Sequence, residues 1–168
     1  MSNRILVVDD EPPIRRFLRV ALEAEGYLVH EAASAREGIA IAARENPAAV
    51  ILDLGLPDAD GVSVLKAVRE WSPMPVLVLS VRSDEAGKIA ALDAGAQDYV
   101  TKPFSTGELL ARLRVLLRDH AREAAPSTIA LGALVIDPRA EGGILSNEAA
   151  ERLAHVVLGL GIHGLHGE

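Results

Sequence analysis

Apolar runs without polar interruptions constrain the fold of this chain more than any other feature. They lie at residues 5–8, 50–52 and 76–79. Alternating apolar and polar residues would indicate a sheet with one face in water, whereas unbroken runs are typical of strands buried on both faces, as in a parallel sheet. We therefore expect a parallel sheet whose two faces are both covered by helices.

Helical periodicity occupies the segments between these runs. One such segment begins at residues 12–13, both proline, and stops at Gly26. Its apolar side chains recur at the spacing that places them on one face of a helix. Ser34 and Asp60 are typical N-cap residues, and Gly95 is a typical helix stop.

These patterns alternate along the first 121 residues. Strands are predicted near residues 4–9, 28–32, 49–53, 76–80 and 98–101. Helices are predicted near residues 13–25, 35–45, 61–71, 84–94 and 106–121. Five strands in alternation with five helices predict an α/β protein with an open, doubly wound sheet and right-handed crossovers.

Composition excludes several classes of function. The 168 residues include no cysteine, which excludes a disulfide scaffold, a thiolate zinc site and a cysteine nucleophile. The net charge of −7 gives the chain no overall attraction for nucleic acid or for anionic lipid. No secretion signal or membrane-length apolar run is recognisable, so we expect a soluble, cytoplasmic protein without membrane contact.

Polar side chains capable of chemistry lie where four of the predicted strands end. Asp9 and Asp10 end the first strand, Asp53 ends the third, Ser80 ends the fourth, and Lys102 follows the fifth. In open α/β sheets, sites form in the crevice beyond the carboxyl ends of the strands. We therefore expect these groups to converge, provided that their strands lie side by side.

Three clustered carboxylates would hold their protons unless a cation were present. A few hard carboxylate oxygens suit Mg²⁺, which is the cofactor we predict. A lysine and a hydroxyl beside them suit an incoming phosphoryl group. One carboxylate would then be the nucleophile, as in aspartyl-phosphate chemistry.

Three motifs carry a resemblance to a known family. Residues 5–11 (ILVVDDE), 53–61 (DLGLPDADG) and 98–104 (DYVTKPF) stand in the order found in response-regulator receiver domains of two-component systems. The resemblance covers residues 3–121. It implies the flavodoxin-like or CheY-like strand order 2-1-3-4-5, and a sensor histidine kinase as the phosphoryl donor.

The resemblance also implies a role for each residue of the site. Asp53 would be the phospho-acceptor, and Lys102 would contact the phosphoryl oxygens. Ser80 would hydrogen-bond the phosphoryl group, Tyr99 would rotate inward, and the bond before Pro103 would be cis. The metal would be held by Asp10, Asp53 and the backbone carbonyl of Gly55, with Asp9 acting through water.

Residues 81–83 and 88–96 resemble the OmpR/PhoB class, and most of all KdpE-type regulators. That class is implied to form a homodimer through helix 4, strand 5 and helix 5 when phosphorylated. Gln97 stands where the class usually has an acidic residue. The matching charged positions in this chain are Lys88, Asp93, Asp98, Arg112, Arg114 and Arg118.

The pattern changes after Arg122. We predict a receiver domain over residues 1–122, a linker over residues 123–128, and the remnant of a winged-helix effector domain over residues 129–168. Residues 129–147 resemble the leading strands of such a domain, with short strands at Ile129–Leu131 and Leu134–Ile136. A turn at residues 142–143 and a short helix at residues 149–158 are expected after them, and then a poorly structured end.

No recognition helix follows these strands, and residues 129–168 carry two arginines and five acidic residues. Phosphate contacts in DNA need lysine and arginine. We therefore expect DNA binding only if a complete effector domain were present. A truncated gene or a change of reading frame would explain such an ending.

Alternatives remain open at several positions. Glu11 could be a metal ligand, although an acid in the first helical turn is the favoured interpretation. Ser80 could simply cap a helix, Tyr99 could be core packing, and the arginines of helix 5 could form a solvated face. The histidines at 155, 163 and 166 could bind metal, although an unstructured tail is favoured.

Two functions from different classes are compatible with the sequence. The first is a transcription regulator that is switched by phosphorylation of Asp53. The second is a stand-alone receiver that binds proteins or acts as a phosphate sink. A Mg²⁺-dependent phosphohydrolase is disfavoured because no general acid is recognisable, so at most the chain would catalyse its own phosphorylation and dephosphorylation.

Overall fold

The computed structural model describes residues 4–81, 85–124, 129–131 and 134–136. The described residues fall into two units, one within Met1–Ala124 and one within Ala125–Glu168. The larger unit holds all five strands of the main sheet and all five described helices.

The larger unit is built on a parallel sheet of five strands in the order β2-β1-β3-β4-β5. The order 2-1-3-4-5 implied by the sequence is therefore confirmed. It places β2 outside the four strands whose ends carry the predicted site, with β5 at the opposite edge. The strands are β1 (Arg4–Val8), β2 (Leu28–Ala32), β3 (Ala49–Asp53), β4 (Val76–Ser80) and β5 (Asp98–Thr101).

The helices occupy the predicted segments, with differences at their ends. They are α1 (Pro12–Ala24), α2 (Ala35–Glu45), α3 (Gly61–Arg69), α4 (Glu85–Asp93) and α5 (Thr106–Ala124). Helix α3 stops two residues early because the amides of Trp71 and Ser72 both bond back to the carbonyl of Val68 and close its last turn. Helix α5 runs three residues further than predicted, to Ala124.

Apolar side chains of the strands alternate between two clusters, one on each face of the sheet. Leu6 and Val8 of β1 pack in the cluster that includes Leu65 of α3. Ile5 and Val7 of the same strand pack in the cluster that includes Leu18 of α1 and Leu113 of α5. Burial of both strand faces explains why these runs contain no polar residue.

The predicted helix signals are confirmed where the structure describes them. The Ser34 hydroxyl accepts a hydrogen bond from the Glu37 amide, and the Asp60 carboxylate accepts one from the Val62 amide. Gly95 follows α4 with φ of +103°, a left-handed conformation that glycine adopts without strain.

The smaller unit contributes a pair of short antiparallel strands. They are β6 (Ile129–Leu131) and β7 (Leu134–Ile136), as predicted. Several other predictions fall on residues outside those that the structure describes. They concern residues 82–83, the turn at 142–143, the helix at 149–158, and His155, His163 and His166.

Gly61, the first residue of α3, lies against the backbone that carries Asp53. A Cβ atom at this position would lie 2.6 Å from Leu54 Cα and 2.9 Å from the carbonyl oxygen of Asp53. Both contacts are with backbone, so a flexible side chain cannot relieve them. The glycine therefore allows α3 to begin close to the end of β3.

We predict that Gly61→Ala destabilises the protein by about 1–3 kcal/mol, because overpacking costs that much. Gly107→Ala in the first turn of α5 is the matched control, since its Cβ would meet nothing within 4 Å. The control should be neutral or stabilising by up to about 1 kcal/mol. Urea unfolding measures both effects, and equal stabilities of the two variants would contradict this account.

Candidate functional site

The predicted site residues meet at the carboxyl edge of the sheet. Asp53 and Ser80 are the last residues of β3 and β4, while Asp9 and Lys102 directly follow β1 and β5. The strand order makes β1, β3, β4 and β5 consecutive neighbours. The convergence expected from the strand ends is therefore a consequence of the topology.

Three carboxylates form a compact acidic cluster at this edge. Asp9, Asp10 and Asp53 each offer a carboxylate oxygen, and these oxygens all lie within 4.8 Å of one another. Asp9 and Asp53 are buried, with 1% and 7% of their surface exposed, while Asp10 is exposed. Because like charges at this distance repel, the cluster requires a compensating positive charge.

Lys102 supplies part of that compensation within the chain. Its Nζ lies 2.8 Å from Asp9 Oδ2, 3.2 Å from Glu11 Oε1 and 3.6 Å from Asp53 Oδ2. The lysine side chain is 8% exposed, so its charge acts where water screens it weakly. One ammonium group thus contacts two buried acids and one exposed acid.

Burial raises the pKa of the Asp53 carboxyl above its ordinary value. The Gly55 amide and the Lys102 ammonium group act against this increase, whereas the charges of Asp9 and Asp10 add to it. Burial alone would lower the pKa of Lys102, but its hydrogen bond to Asp9 and the nearby charge of Asp53 raise it overall. Asp53 is therefore a carboxylate whose charge is poorly compensated.

Asp9 is held more firmly than its acidic neighbours. Its Oδ1 accepts a hydrogen bond from the Glu11 amide at 2.9 Å, and its Oδ2 accepts one from Lys102. Its backbone amide donates to Ala32, and its carbonyl accepts from Arg15 at 2.7 Å. The sequence interpretation missed Arg15, whose position on α1 carries no distinguishing signal.

The favoured interpretation of Glu11 was wrong. Glu11 is the N-cap residue of α1, and the first turn of that helix contains no acidic residue. Its side chain caps nothing, and its carboxylate instead accepts a hydrogen bond from Lys102. The physical reason is that a buried ammonium group nearby attracts this carboxylate more strongly than the partial charge of a helix end.

The loop after β3 also contributes to the site. The Gly55 amide donates to Asp53 Oδ1 at 3.3 Å, and Gly55 forms an isolated antiparallel bridge with Asp60. Asp58 reaches from this loop to the amides of Ala35 and Arg36 at the start of α2. No sequence signal indicated that contact, because its partners lie 22 and 23 residues away along the chain.

Of the residues predicted to act as a switch, Ser80 ends the strand next to Asp53 and Tyr99 lies within β5. Ser80 is 1% exposed, and its backbone carbonyl accepts from the Lys102 amide at 2.8 Å. Tyr99 is 6% exposed and packs in the same apolar cluster as Ala91 of α4. The Lys102–Pro103 peptide bond is cis.

The charged residues predicted to form a dimer surface lie away from the acidic cluster, on α4, β5 and α5. Arg112 pairs within the chain with Asp98 and Glu108 at 2.8 and 3.0 Å, and Arg114 lies 3.5 Å from Glu25. Gln97 is hydrogen-bonded within its own chain, because its Oε1 accepts from the Val76 amide and from Arg69. The remaining members of the predicted surface, Lys88, Asp93 and Arg118, are exposed.

The donor atoms of the acidic cluster fit a divalent cation. They are carboxylate oxygens of Asp9, Asp10 and Asp53, which are hard ligands, and a cation would offset their mutual repulsion. The adjacent Lys102 adds a positive charge at the same edge, 3.6 Å from Asp53 Oδ2, that can stabilise a further anionic group. The arrangement can therefore hold a metal ion and an anion together.

The fold and the site together define a class of protein. A five-stranded parallel sheet in the order 2-1-3-4-5, with an acidic cluster and a lysine at its carboxyl edge, is the arrangement of a CheY-like receiver domain. Comparison with known proteins agrees. Residues 5–114 match the family model of the response regulator receiver domain. The chain belongs to the response regulator receiver domain family.

Individual relatives fit this assignment. The chain is 55% identical over 129 residues to the KDP operon transcriptional regulatory protein KdpE of Escherichia coli (strain K12), an alignment covering 77% of this chain and 57% of that protein. It is 51% identical over 120 residues to the transcriptional regulatory protein KdpE of Mycobacterium tuberculosis (strain CDC 1551 / Oshkosh). That alignment covers 71% of this chain and 53% of that protein. The chain thus spans about half the length of these curated relatives.

Solved structures support the same fold. The receiver domain protein (CheY-like) from Methanospirillum hungatei JF-1 superposes with a TM-score of 0.70 and 31% sequence identity. The alignment covers 73% of this chain and 99% of that one. The predicted fold class and family are confirmed.

The raised pKa of Asp53 predicts that neutralising this residue stabilises the metal-free protein. When a carboxyl group has a raised pKa in the folded state, the protein loses stability as the pH rises from the group's unfolded-state pKa, near 4, through its folded-state pKa. The penalty grows as the pH rises above the unfolded-state pKa, so the two proteins are compared at neutral pH. Asp53→Asn should therefore raise the free energy of unfolding by on the order of 1 kcal/mol.

Urea unfolding in the presence of a chelator measures this difference. The gain should shrink as the pH is lowered through and below about 4, because Asp53 then becomes protonated in the unfolded state as well as in the folded state. A divalent cation should also reduce the gain, because Asp53→Asn removes one of the three carboxylates that could hold such an ion. A gain that is the same at every pH would contradict the electrostatic explanation.

Proposed function

We propose that this chain is the phospho-accepting part of a two-component transcription regulator, with Asp53 as the acceptor. One observation carries the proposal: the Asp53 carboxylate is buried at the sheet edge between two other acids and Lys102. Asp9 is already engaged by Lys102 and the Glu11 amide, and Asp10 lies in the exposed segment before α1. Asp53 is thus the buried acid that is best placed to act as nucleophile.

The proposed reaction transfers a phosphoryl group from a phosphohistidine of a sensor histidine kinase. An Asp53 carboxylate oxygen attacks phosphorus, the O–P bond forms, and the P–N bond breaks with its electron pair left on the imidazole. Lys102, 3.6 Å from Asp53, contacts the phosphoryl oxygens. In this proposal the chain is a switch that at most catalyses its own phosphorylation and dephosphorylation.

Mg²⁺ is the proposed cofactor. Asp10, Asp53 and the backbone carbonyl of Gly55 would hold it, with Asp9 acting through water, as oxygen donors suited to this ion. When bound, Mg²⁺ supplies positive charge that offsets the carboxylates and the developing charge on the phosphoryl oxygens.

The proposed readout begins at Ser80 and Tyr99. The Ser80 hydroxyl hydrogen-bonds the phosphoryl group, which draws the end of β4 towards Asp53, and Tyr99 follows. Two features support this pathway: Ser80 ends the strand beside Asp53, and Tyr99 packs against the α4 side of the sheet. The phosphorylated conformer is a minor state that the modification stabilises.

The proposed output is a symmetric dimer through α4, β5 and α5. These elements include the edge strand β5 and expose Ile89, Leu92 and Val115. They also carry the charged residues Lys88, Asp93, Asp98, Arg112, Arg114 and Arg118. A surface that combines apolar residues with charges of both signs suits a self-complementary interface. Because Gln97 is uncharged, it contributes no ion pair to this dimer, and its Oε1 is bonded to Arg69 and to the Val76 amide of its own subunit.

Transcription regulation is proposed for the whole protein, because the curated relatives described above are named as transcriptional regulators. In this scheme residues 1–122 are the phospho-switch, residues 123–128 the linker, and residues 129–168 part of the effector region. DNA binding requires a complete effector domain. The stand-alone alternative is less favoured because no observation beyond the receiver fold supports it.

The proposed place of action is the cytoplasm, where a kinase could reach the acceptor. Among the helices that the structure describes, none combines the length and the apolar character needed to cross a bilayer.

Phosphorylation of Asp53 predicts a defined chemical product. Incubation with acetyl phosphate and Mg²⁺ should add one phosphoryl group, detected by intact mass, and hydroxylamine should remove it because it cleaves acyl phosphates. Asp53→Asn should give no adduct, since an amide is not a nucleophile here. An adduct that persists in Asp53→Asn would mean that another residue is the acceptor.

Dimerisation predicts a change in sedimentation on activation. With beryllofluoride and Mg²⁺ as a phosphoryl mimic, the wild type should shift from monomer towards dimer. Ile89→Glu should remain monomeric, because it places a charge in the proposed apolar contact. Val20→Glu is the matched control, since Val20 is also exposed but lies on α1. Equal behaviour of the two variants would contradict the proposed interface.

A further inference from the structure

Loop 54–60, between β3 and α3, carries one donor of the proposed metal site on its backbone. The carbonyl of Gly55 has no side-chain torsion that could adjust its position, so the loop as a whole determines where it lies. Leu54 and Leu56 are buried and attach the start of the loop to the core. The loop therefore needs a second attachment on its outer side to be fixed in place.

Asp58 provides that outer attachment. Its Oδ1 accepts a hydrogen bond from the Ala35 amide at 2.8 Å, and its Oδ2 accepts one from the Arg36 amide at 3.0 Å. Both amides belong to the first turn of α2, where backbone donors have no partner within the helix. These two bonds lower the pKa of the Asp58 carboxyl, so it stays ionised at neutral pH.

Local residues satisfy only part of the start of α2. The Ser34 hydroxyl accepts from the Glu37 amide, and the Glu37 carboxylate accepts from the Ala33 amide at 2.9 Å. These two bonds differ from a capping box, because the Glu37 carboxylate accepts from Ala33 and not from the N-cap residue Ser34, and they leave the Ala35 and Arg36 amides to Asp58. The bonds from Asp58 are thus a connection between α2 and loop 54–60.

The same helix start is connected to the acidic cluster. The carbonyl of Ala32, at the end of β2, accepts a hydrogen bond from the Asp9 amide at 3.1 Å. Asp9 and the segment before α2 therefore share a fixed backbone contact. A loop that is bonded to α2 is held relative to Asp9 as well as to Asp53.

We infer that Asp58 is a positioning residue for the proposed metal site. Its paired bonds to the first turn of α2 hold loop 54–60 so that the Gly55 carbonyl stays within reach of the ion held by Asp10 and Asp53. Asp58 itself is not a ligand. Groups that orient metal ligands without touching the ion commonly change its affinity by about 10- to 100-fold when removed.

This inference rests on the proposed function, and calorimetric titration with Mg²⁺ tests it without any phosphoryl donor. Asp58→Ala should raise the dissociation constant for Mg²⁺ by about tenfold, the lower end of the range for such supporting groups. Asp58→Asn keeps one acceptor oxygen and should show a smaller increase, so it provides a second test if the alanine variant fails to fold.

Ser34→Ala is the matched control. It removes a cap from the same helix start but leaves the bonds to loop 54–60 intact. Its dissociation constant for Mg²⁺ should equal that of the wild type even if its thermal stability falls. An equal increase in Ser34→Ala would mean that Asp58 acts only by stabilising α2, which would overturn the inference.

The Mg²⁺ dependence of phosphorylation by acetyl phosphate provides a second readout. In Asp58→Ala, the Mg²⁺ concentration at half-maximal rate should increase, while the rate at saturating Mg²⁺ should stay within about twofold of the wild type, since the reacting groups are intact. If wild type binds Mg²⁺ and Asp58→Ala binds it equally well, only the inference is wrong. If wild type binds no Mg²⁺, the proposed metal site is wrong and the inference with it.

Discussion

The pairing of Lys102 with the acidic cluster is the interaction on which the rest of the site depends. Three carboxylates share one edge of the sheet, and two of them are buried. Lys102 contacts both buried acids but lies closer to Asp9 than to Asp53, by 2.8 against 3.6 Å. Burial raises the pKa of Asp53, and the more distant ammonium group offsets this only in part, so the carboxylate could be stabilised further by a cation. The uneven sharing of the Lys102 charge between Asp9 and Asp53 thus leaves a charge at the site that a bound cation could compensate.

The core provides the rigidity that this electrostatic arrangement requires. Strands β1, β3 and β4 are buried on both faces, and their parallel register fixes where each strand ends. Polar groups at those ends cannot move apart to relieve repulsion without disturbing the two apolar clusters beneath them. Hydrogen bonds from loop 54–60 extend this rigidity beyond the sheet, because Asp58 connects the loop to α2. Stability and function are thus coupled at a single edge of the sheet.

The sequence predicted local features well and distant contacts poorly. Every strand and helix of the larger unit was recognised from its pattern, and the caps at Ser34 and Asp60 followed from residues close in the chain. Glu11 was misjudged because its partner, Lys102, lies 91 residues away. Asp58 was recognised only as part of a motif, since its contacts with α2 depend on how two loops meet. Helix ends shifted by a few residues because single hydrogen bonds decide them.

The sequence by itself determined the fold class, the family and the identity of the residues at the sheet edge. It could do so because buried strands, helix caps and strand-end motifs are local patterns. Tertiary structure alone decided how charge is shared among Lys102, Asp9, Glu11 and Asp53, and which loop is attached to which helix. Those properties depend on distances of a few ångströms between groups that lie far apart in the chain. Electrostatic energy varies steeply over such distances, whereas sequence spacing does not report them.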